Sequence, residues 1–362
     1  SMNSHRMIQG WSPMIKEVLL TRRLPPGQID MQVGEWQEIH HLSDEELALL
    51  VHWIDQGAAR SPDDGDKDPL TAPAESPPEW ALGEPDLVID IPAENIPATG
   101  VVDFLVKHAN LDLQKDQWVT AVAYDVGAPW VLHRVLVYAL DPAALAAGSA
   151  GFDTPLQDPA RLLAPEHAEF ISLFVPGRRQ EQFSTDSAFL LRADRDLAFK
   201  LRYITTGREA TDSTRVGLYF TNQAPRYQVR HVVLGKQAFS IAAGEARHRE
   251  HAESAVFEKD VLLEAVAPQM HGRGSSMDVV LQIPDGSHRD LLSVPNYNFN
   301  WQLNYELVEP VLLPAGSRLL STTVYDNSEG NPYNPQPESD VHAGVTVQDE
   351  TFSHYVRVLE ER

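Results

Sequence analysis

Gln269-Met270-His271, followed by Gly272-Arg273-Gly274, sets an amide, a thioether and an imidazole side by side at a turn. Imidazole and thioether are soft donors suited to copper, yet His271 is the only residue of this run that binds a transition metal well. A second imidazole, His133, stands beside Arg134 in the alternating run VLHRVLVYAL. Arg202 occurs in LRYITTG. A guanidinium keeps its charge and has no lone pair to donate, so Arg134 and Arg202 would repel a metal and suit a carboxylate, phosphate or sulfate.

Strand alternation puts Val135 and Val137 on the face of His133, and Leu132, Leu136 and Tyr138 on that of Arg134. By periodicity alone His133 therefore reads as a hydrogen-bonded histidine at a core edge. His271, just ahead of a Gly-Arg-Gly turn, reads as exposed to a cleft, and Met270 as a gap-filling core side chain. His40 and His41 precede a predicted helix, and His354 lies near the end of the chain. His248 and His251 have helical i,i+3 spacing, but with no third partner they read as solvated surface rather than a metal site. No Gly-x-Ser-x-Gly elbow and no phosphate-cradling glycine loop occurs, and the acids are too many for the sequence to select a glycosidase pair.

The elements that must hold these residues are mostly strands. DLVIDI, WVTAVAYDV, WVLHRVLVYAL, LAFKLRYI, RVGLYF, DVVLQI and RLLSTTVYD are short β-branched or aromatic runs broken by Pro, Gly, Asp and Asn. With no helical segments between them, they predict antiparallel sandwiches, not βαβ units. The fold expected is mainly β: two tandem antiparallel β-sandwich domains, jelly-roll-like, behind a short N-terminal helical segment. The boundaries are a helical region over 1–58, a Pro-rich linker over 59–80, a first sandwich over 81–228 and a second over 229–362. In the helical region Ser12-Pro13 predicts a helix start, and Ser43 with Glu46 a capping box closed by Gly57. The segment RSPDDGDKDPLTAPAESPPEW, with its five prolines, predicts the linker.

Bulk composition narrows the function further. The 362 residues carry 52 acids against 29 Lys plus Arg, a formal net charge of −23 that repels phosphate backbones and argues against nucleic acid. Zero cysteines exclude disulfides, thiolate catalysis, iron–sulfur clusters and covalent haem attachment within this chain. No apolar run approaches the roughly 20 residues of a membrane span, and no basic-then-apolar signal opens the chain. Ser1-Met2 reads as a tag remnant.

Six segments carry a family resemblance: LGEPDLVIDIP (82–92), VLHRVLVY (131–138), LRYITTGREATDSTRVGLYF (201–220), PQMHGRGSS (268–276), LLSVPNYNFNWQLNYEL (291–307) and YDNSEGNPYNPQP (325–337). In this order they resemble bacterial copper type II, ascorbate-dependent monooxygenases, which are similar to peptidylglycine α-hydroxylating monooxygenase. The likeness spans roughly residues 80 to 357. It implies two sandwiches holding one copper each across a solvent-filled cleft. One copper takes a His-His pair and the His of a His-Tyr-x-x-Thr-Gly strand. The other takes the outer residues of His-x-His and the Met of Asp-Glu-Met.

Carried over residue by residue, the resemblance leaves His133 and His271 as residual metal positions. Arg134, Arg202, Gln269 and Thr351 stand at substituted ligand positions. If Arg134 and Arg202 both reach the vacated first copper position near His133, they form a cationic pocket; the alternative is that each pairs with a neighbouring carboxylate. The helical front resembles the tail of a c-type cytochrome, with Leu24 where an axial methionine would precede two prolines. The expectation is a monooxygenase-like protein that no longer performs copper oxygenation and serves as a binding or scaffolding subunit. Its partner would be a protein, such as an active relative, or a small molecule. The alternative is an active copper monooxygenase with a rearranged site, hydroxylating a C–H bond. The resemblance also implies a periplasmic or exported location.

Overall fold

Ser43 accepts a hydrogen bond from the Glu46 backbone while Glu46 reaches back to the Ser43 N–H, closing the capping box expected for helix α2 (Asp44–Asp55). Helix α1 (His5–Leu20) begins earlier than Ser12-Pro13 predicts: Ser4 caps it and Pro13 lies inside. These helices belong to one of two compact units of the computed structural model, residues 1–28 with 38–78; the other comprises residues 29–37 and 79–362. The structure describes all residues except 1–2, 26–28, 38, 40, 62–67, 69, 71–77, 146–161 and 345. His40 and most of the expected linker lie outside the described residues. Within the helical unit Lys16 pairs with Asp55 at 2.5 Å, and Leu24 is exposed.

The second unit is built mainly of strands. Its longest sheet runs in the order β1 (Leu87–Asp90), β11 (Arg215–Thr221), β4 (Gln117–Asp125), β8 (Ser187–Leu191), β12 (Tyr227–Lys236), β21 (Phe352–Glu361), β15 (Val261–Ala267) and β18 (Tyr305–Leu313), with β7 (Gln180–Gln182) beside β4. Two four-stranded sheets accompany it. One is β3 (Leu105–Ala109), β9 (Asp196–Tyr203), β5 (Leu132–Leu140) and β6 (Ala168–Phe174); the other is β14 (His248–Glu253), β19 (Arg318–Tyr325), β16 (Gly274–Gln282) and β17 (His288–Val294). The short pairs β2 (Glu94–Ile96) with β10 (Ala210–Asp212) and β13 (Ser240–Ile241) with β20 (Val341–His342) complete it. The chain is thus mainly β, with antiparallel sheets packed as sandwiches behind N-terminal helices.

The expected boundary at 228/229 falls where the long sheet runs on without a break. Tyr227, Gln228 and Val229 of β12 pair in parallel with Ser187, Ala188 and Phe189 of β8, so strands from both halves share one ladder. Arg357 of β21 reinforces the junction, bonding Glu181 of β7 while holding Glu264 at 2.6 Å and Glu306 at 2.7 Å.

Strand β5 is buried on both faces, which explains its near-continuous apolar sequence. Val135, Val137 and Ala139 enter the core of the first sandwich with Ile171, Phe199 and Leu218. Leu136, Tyr138 and Leu140 face the other way, against Phe170, Ala267 and Tyr355. Residues of the second half therefore roof the outer face of the first sandwich.

His248 and His251 lie on β14 and not on a helix, so their spacing of three separates them. His248 binds Glu245 and Glu250, whereas His251 is exposed and meets Thr322 at 3.0 Å.

Candidate functional site: a cationic cavity

The β5–β9 register steps from Leu132↔Tyr203 directly to Arg134↔Arg202, which makes His133 an extra residue on β5. Such a β-bulge breaks alternation. Leu132 consequently packs in the sandwich core with Val135 and Tyr203, while His133 departs from the face predicted for it and stands beside Phe299, ring centroids 5.5 Å apart. Arg134 and Arg202 are direct cross-strand partners. Two residues before Arg202, Lys200 points to the same side of β9, opposite Leu136.

Two phenyl rings hold this cationic cluster. Phe104 lies 4.3 Å from Lys200 Nζ, 5.3 Å from the Arg202 guanidinium and 5.8 Å from that of Arg134. Phe299 lies 4.4 Å from Arg202. A cation over a ring face is stabilised by about 0.5–2 kcal/mol, which offsets part of the repulsion but does not neutralise it. Among the described residues none of the three cations forms an ion pair with a carboxylate, and Nε and Nη1 of Arg202 have no hydrogen-bond partner. Asp103 is near enough to favour the charged forms of Lys200 and Arg202 without pairing with either.

Arg134 is buried and bonded to amides instead, through Nη1, while its Nε has no hydrogen-bond partner among the described residues. It donates to Oε1 of Gln269 and of Gln302. Gln302 is oriented for this because its amide nitrogen donates to the Met270 carbonyl at 2.6 Å and to the Tyr297 hydroxyl. Met270 itself is wholly buried.

His271 is buried, not open to a cleft, and its ring lies tilted against Phe104 (5.3 Å between centroids) and edge-on to Phe299 (5.6 Å). Its Nδ1 lies 2.8 Å from the Asp349 carbonyl, which can only accept, so Nδ1 carries the proton and Nε2 the lone pair. Glu350 accepts from the backbone of His271, Arg273 and Thr351, tying the 269–274 loop to the 349–351 turn. Thr351 fixes that turn further, its carbonyl accepting from Tyr325 at 2.9 Å.

Burial governs the protonation of the site. It pushes His133 down to about 3, aided by Arg134 and Arg202 and slightly opposed by the Asn300 backbone, although neither ring nitrogen closes a hydrogen bond of normal geometry among the described residues. His271 is likewise held well below the ordinary imidazole range by burial. Burial, then Arg134 and Arg202, draw Lys200 down to about 7, and burial with Arg134 draws Arg202 down to about 10. Burial lifts Glu350 to about 7 against its three backbone donors.

This donor set does not fit copper. Among the described residues no three of His, Asp and Glu converge as a metal site, and the two imidazoles that remain share their surroundings with two guanidiniums and an ammonium. A further cation there would meet repulsion in a medium that screens it poorly.

Lys200, Arg134, Gln269 and His271 line one end of a cavity of about 800 Å³. Sequence reasoning missed Lys200, Phe104, Phe299 and Gln302. Lys200 had a signal, since alternation already puts it on the face of Arg202. Phe299 and Gln302 belong to the Phe-Asn-Trp-Gln segment that helped carry the family resemblance.

No family model matches the chain, and no curated protein matches it significantly. Among solved structures it is similar to the infectious bursal disease virus VP2 subviral particle, at 10% identity, covering 81% of this chain and 76% of that one with a TM-score of 0.24. The structure of the infectious bursal disease virus Gx strain is similar at 9% identity, with the same coverages and a TM-score of 0.24. Overlap this loose carries no argument about the present chain.

Proposed function

We propose that the protein is a non-catalytic binding subunit on a monooxygenase-like scaffold, and that its cationic cavity takes a small organic anion where the resembled family places copper. The placement of Arg134 and Lys200 in one cavity, with Arg202 beside Arg134 across the β5–β9 ladder and no carboxylate paired with any of the three among the described residues, carries this reading. An unpaired buried charge costs several kcal/mol and calls for a counter-charge. A bound carboxylate, sulfate or phosphate supplies it through charge-assisted contact with the Lys200 ammonium and the Arg134 guanidinium, with Arg202 adding to the positive potential from beyond the lining.

Calorimetry tests this. Titration of the full chain with acetate, benzoate, sulfate and phosphate at low ionic strength is expected to give saturable heat for at least one anion, lost in Arg202→Met and in Lys200→Met. No heat with any of them, or heat unchanged in both variants, refutes the reading.

A further inference from the structure

The cavity's two ends differ in chemistry, and the difference is written along one sheet face. From Arg134 and Arg202 the β5–β9 ladder passes to Leu136 beside Lys200 and then to Tyr138 beside Ala198. Four residues of strand cover about 13 Å at about 3.3 Å each. At the far end Phe170 stacks on Tyr355 with centroids 4.1 Å apart, and the hydroxyls of Tyr138 and Tyr355 bond each other at 2.7 Å, which leaves ring surface as the main contact on offer. Leu136, Tyr138, Phe170, Val233 and Tyr355 all line the cavity.

The other cation on the lining is already neutralised: Lys236 holds Glu250 at 2.6 Å. Free positive charge is therefore confined to the Arg134 end. That arrangement matches a ligand with one anionic head. A dicarboxylate would place its second charge against the aromatic end, and a polyanion would meet the repulsion of a chain with net charge −23. An inorganic anion would fill the head site and leave the apolar surface wet.

We infer that the cavity binds an amphiphilic monocarboxylic acid, its carboxylate on Arg134 and Lys200 and its alkyl or aryl body along Leu136, Tyr138 and Phe170. This rests on the anion-binding reading above and specifies its ligand class.

The test is a chain-length series of acetate, butanoate, hexanoate and octanoate, with phosphate and octan-1-ol as controls, titrated calorimetrically into the full chain. Affinity is expected to climb about fourfold per methylene, which corresponds to about 0.8 kcal/mol each. Octanoate should bind more tightly than octan-1-ol, and Lys200→Met should remove that advantage. Val233 is exposed at the rim, so Val233→Asp is tolerable to the fold and should weaken octanoate while sparing acetate. Equal affinity for phosphate, acetate and octanoate overturns the amphiphile and leaves the anion site standing. Octan-1-ol matching octanoate, in the parent and in Lys200→Met, overturns the anion site itself. Absence of binding by every probe overturns both.

Discussion

Arg134 donates a hydrogen bond to the side-chain oxygen of Gln269, although the family resemblance assigns the two residues to different copper positions on opposite sides of a cleft. Here one strand of the first sandwich and one loop of the second half are in direct contact through their substituted residues. Gln269→Leu removes an acceptor from a buried guanidinium and is expected to cost about 1–3 kcal/mol of stability. Urea denaturation measures it; an unchanged midpoint would show that Gln302 alone suffices for Arg134.

Lys200→Met should have the unusual property of stabilising the unligated protein while abolishing its response to anions. Removing one of three mutually repelling cations is expected to add about 1 kcal/mol, at the low end because solvent screens a half-buried group. Thermal melts with and without octanoate check both halves of this expectation. A destabilised variant would mean that the ammonium has a favourable partner.

Anion affinity should fall as pH rises through about 7. Burial together with Arg134 on β5 and Arg202 on β9 draws Lys200 down to about 7, opposed by Asp103 ahead of β3. Arg134 and Arg202 remain charged in this range and His271, facing the cluster from its loop, remains neutral. Glu350, which also lines the cavity and is lifted to about 7 by burial, gains a negative charge over the same range and so reinforces the loss of positive charge from Lys200. The folded value of Lys200 lies below its ordinary one, so its contribution to the stability of the unligated protein is complete only above the ordinary lysine range. That contribution is lost as pH falls towards 7. Affinities measured from pH 6 to 9 should decline steeply in the parent and less steeply in Lys200→Met, where Glu350 still titrates.

Arg357→Met is expected to destabilise the β unit by about 3–5 kcal/mol, because it strands Glu181, Glu264 and Glu306 without their shared counter-charge. Paired replacement by Glu181→Gln should recover part of the loss. Denaturation in urea separates the two outcomes.

Neither cupric ion nor a chelator should move the melting temperature. The motivation is the cationic surroundings of His133 and His271, which a third kind of cation would enter only against repulsion. A copper-dependent rise in melting temperature that disappears in His133→Ala and His271→Ala would revive a rearranged metal site.

The local pattern of the chain was enough for the β class and for the α2 cap at Ser43 and Glu46, because each depends on neighbours a few residues apart. Period-two alternation reports which side chains share a face only while a strand keeps its register. The β-bulge at His133 is a relationship between β5 and β9, and no property of VLHRVLVYAL alone records the extra residue. The same holds for His248 and His251, whose spacing fits a helix until β19 supplies a ladder partner. Tertiary structure alone brought Gln302 and Gln269 to Arg134, set Phe104 and Phe299 around the cations, and carried β12 from one sandwich into the sheet of the other. Those contacts join residues far apart in the sequence, and their energies come from burial and electrostatics that exist only once both strands are in place.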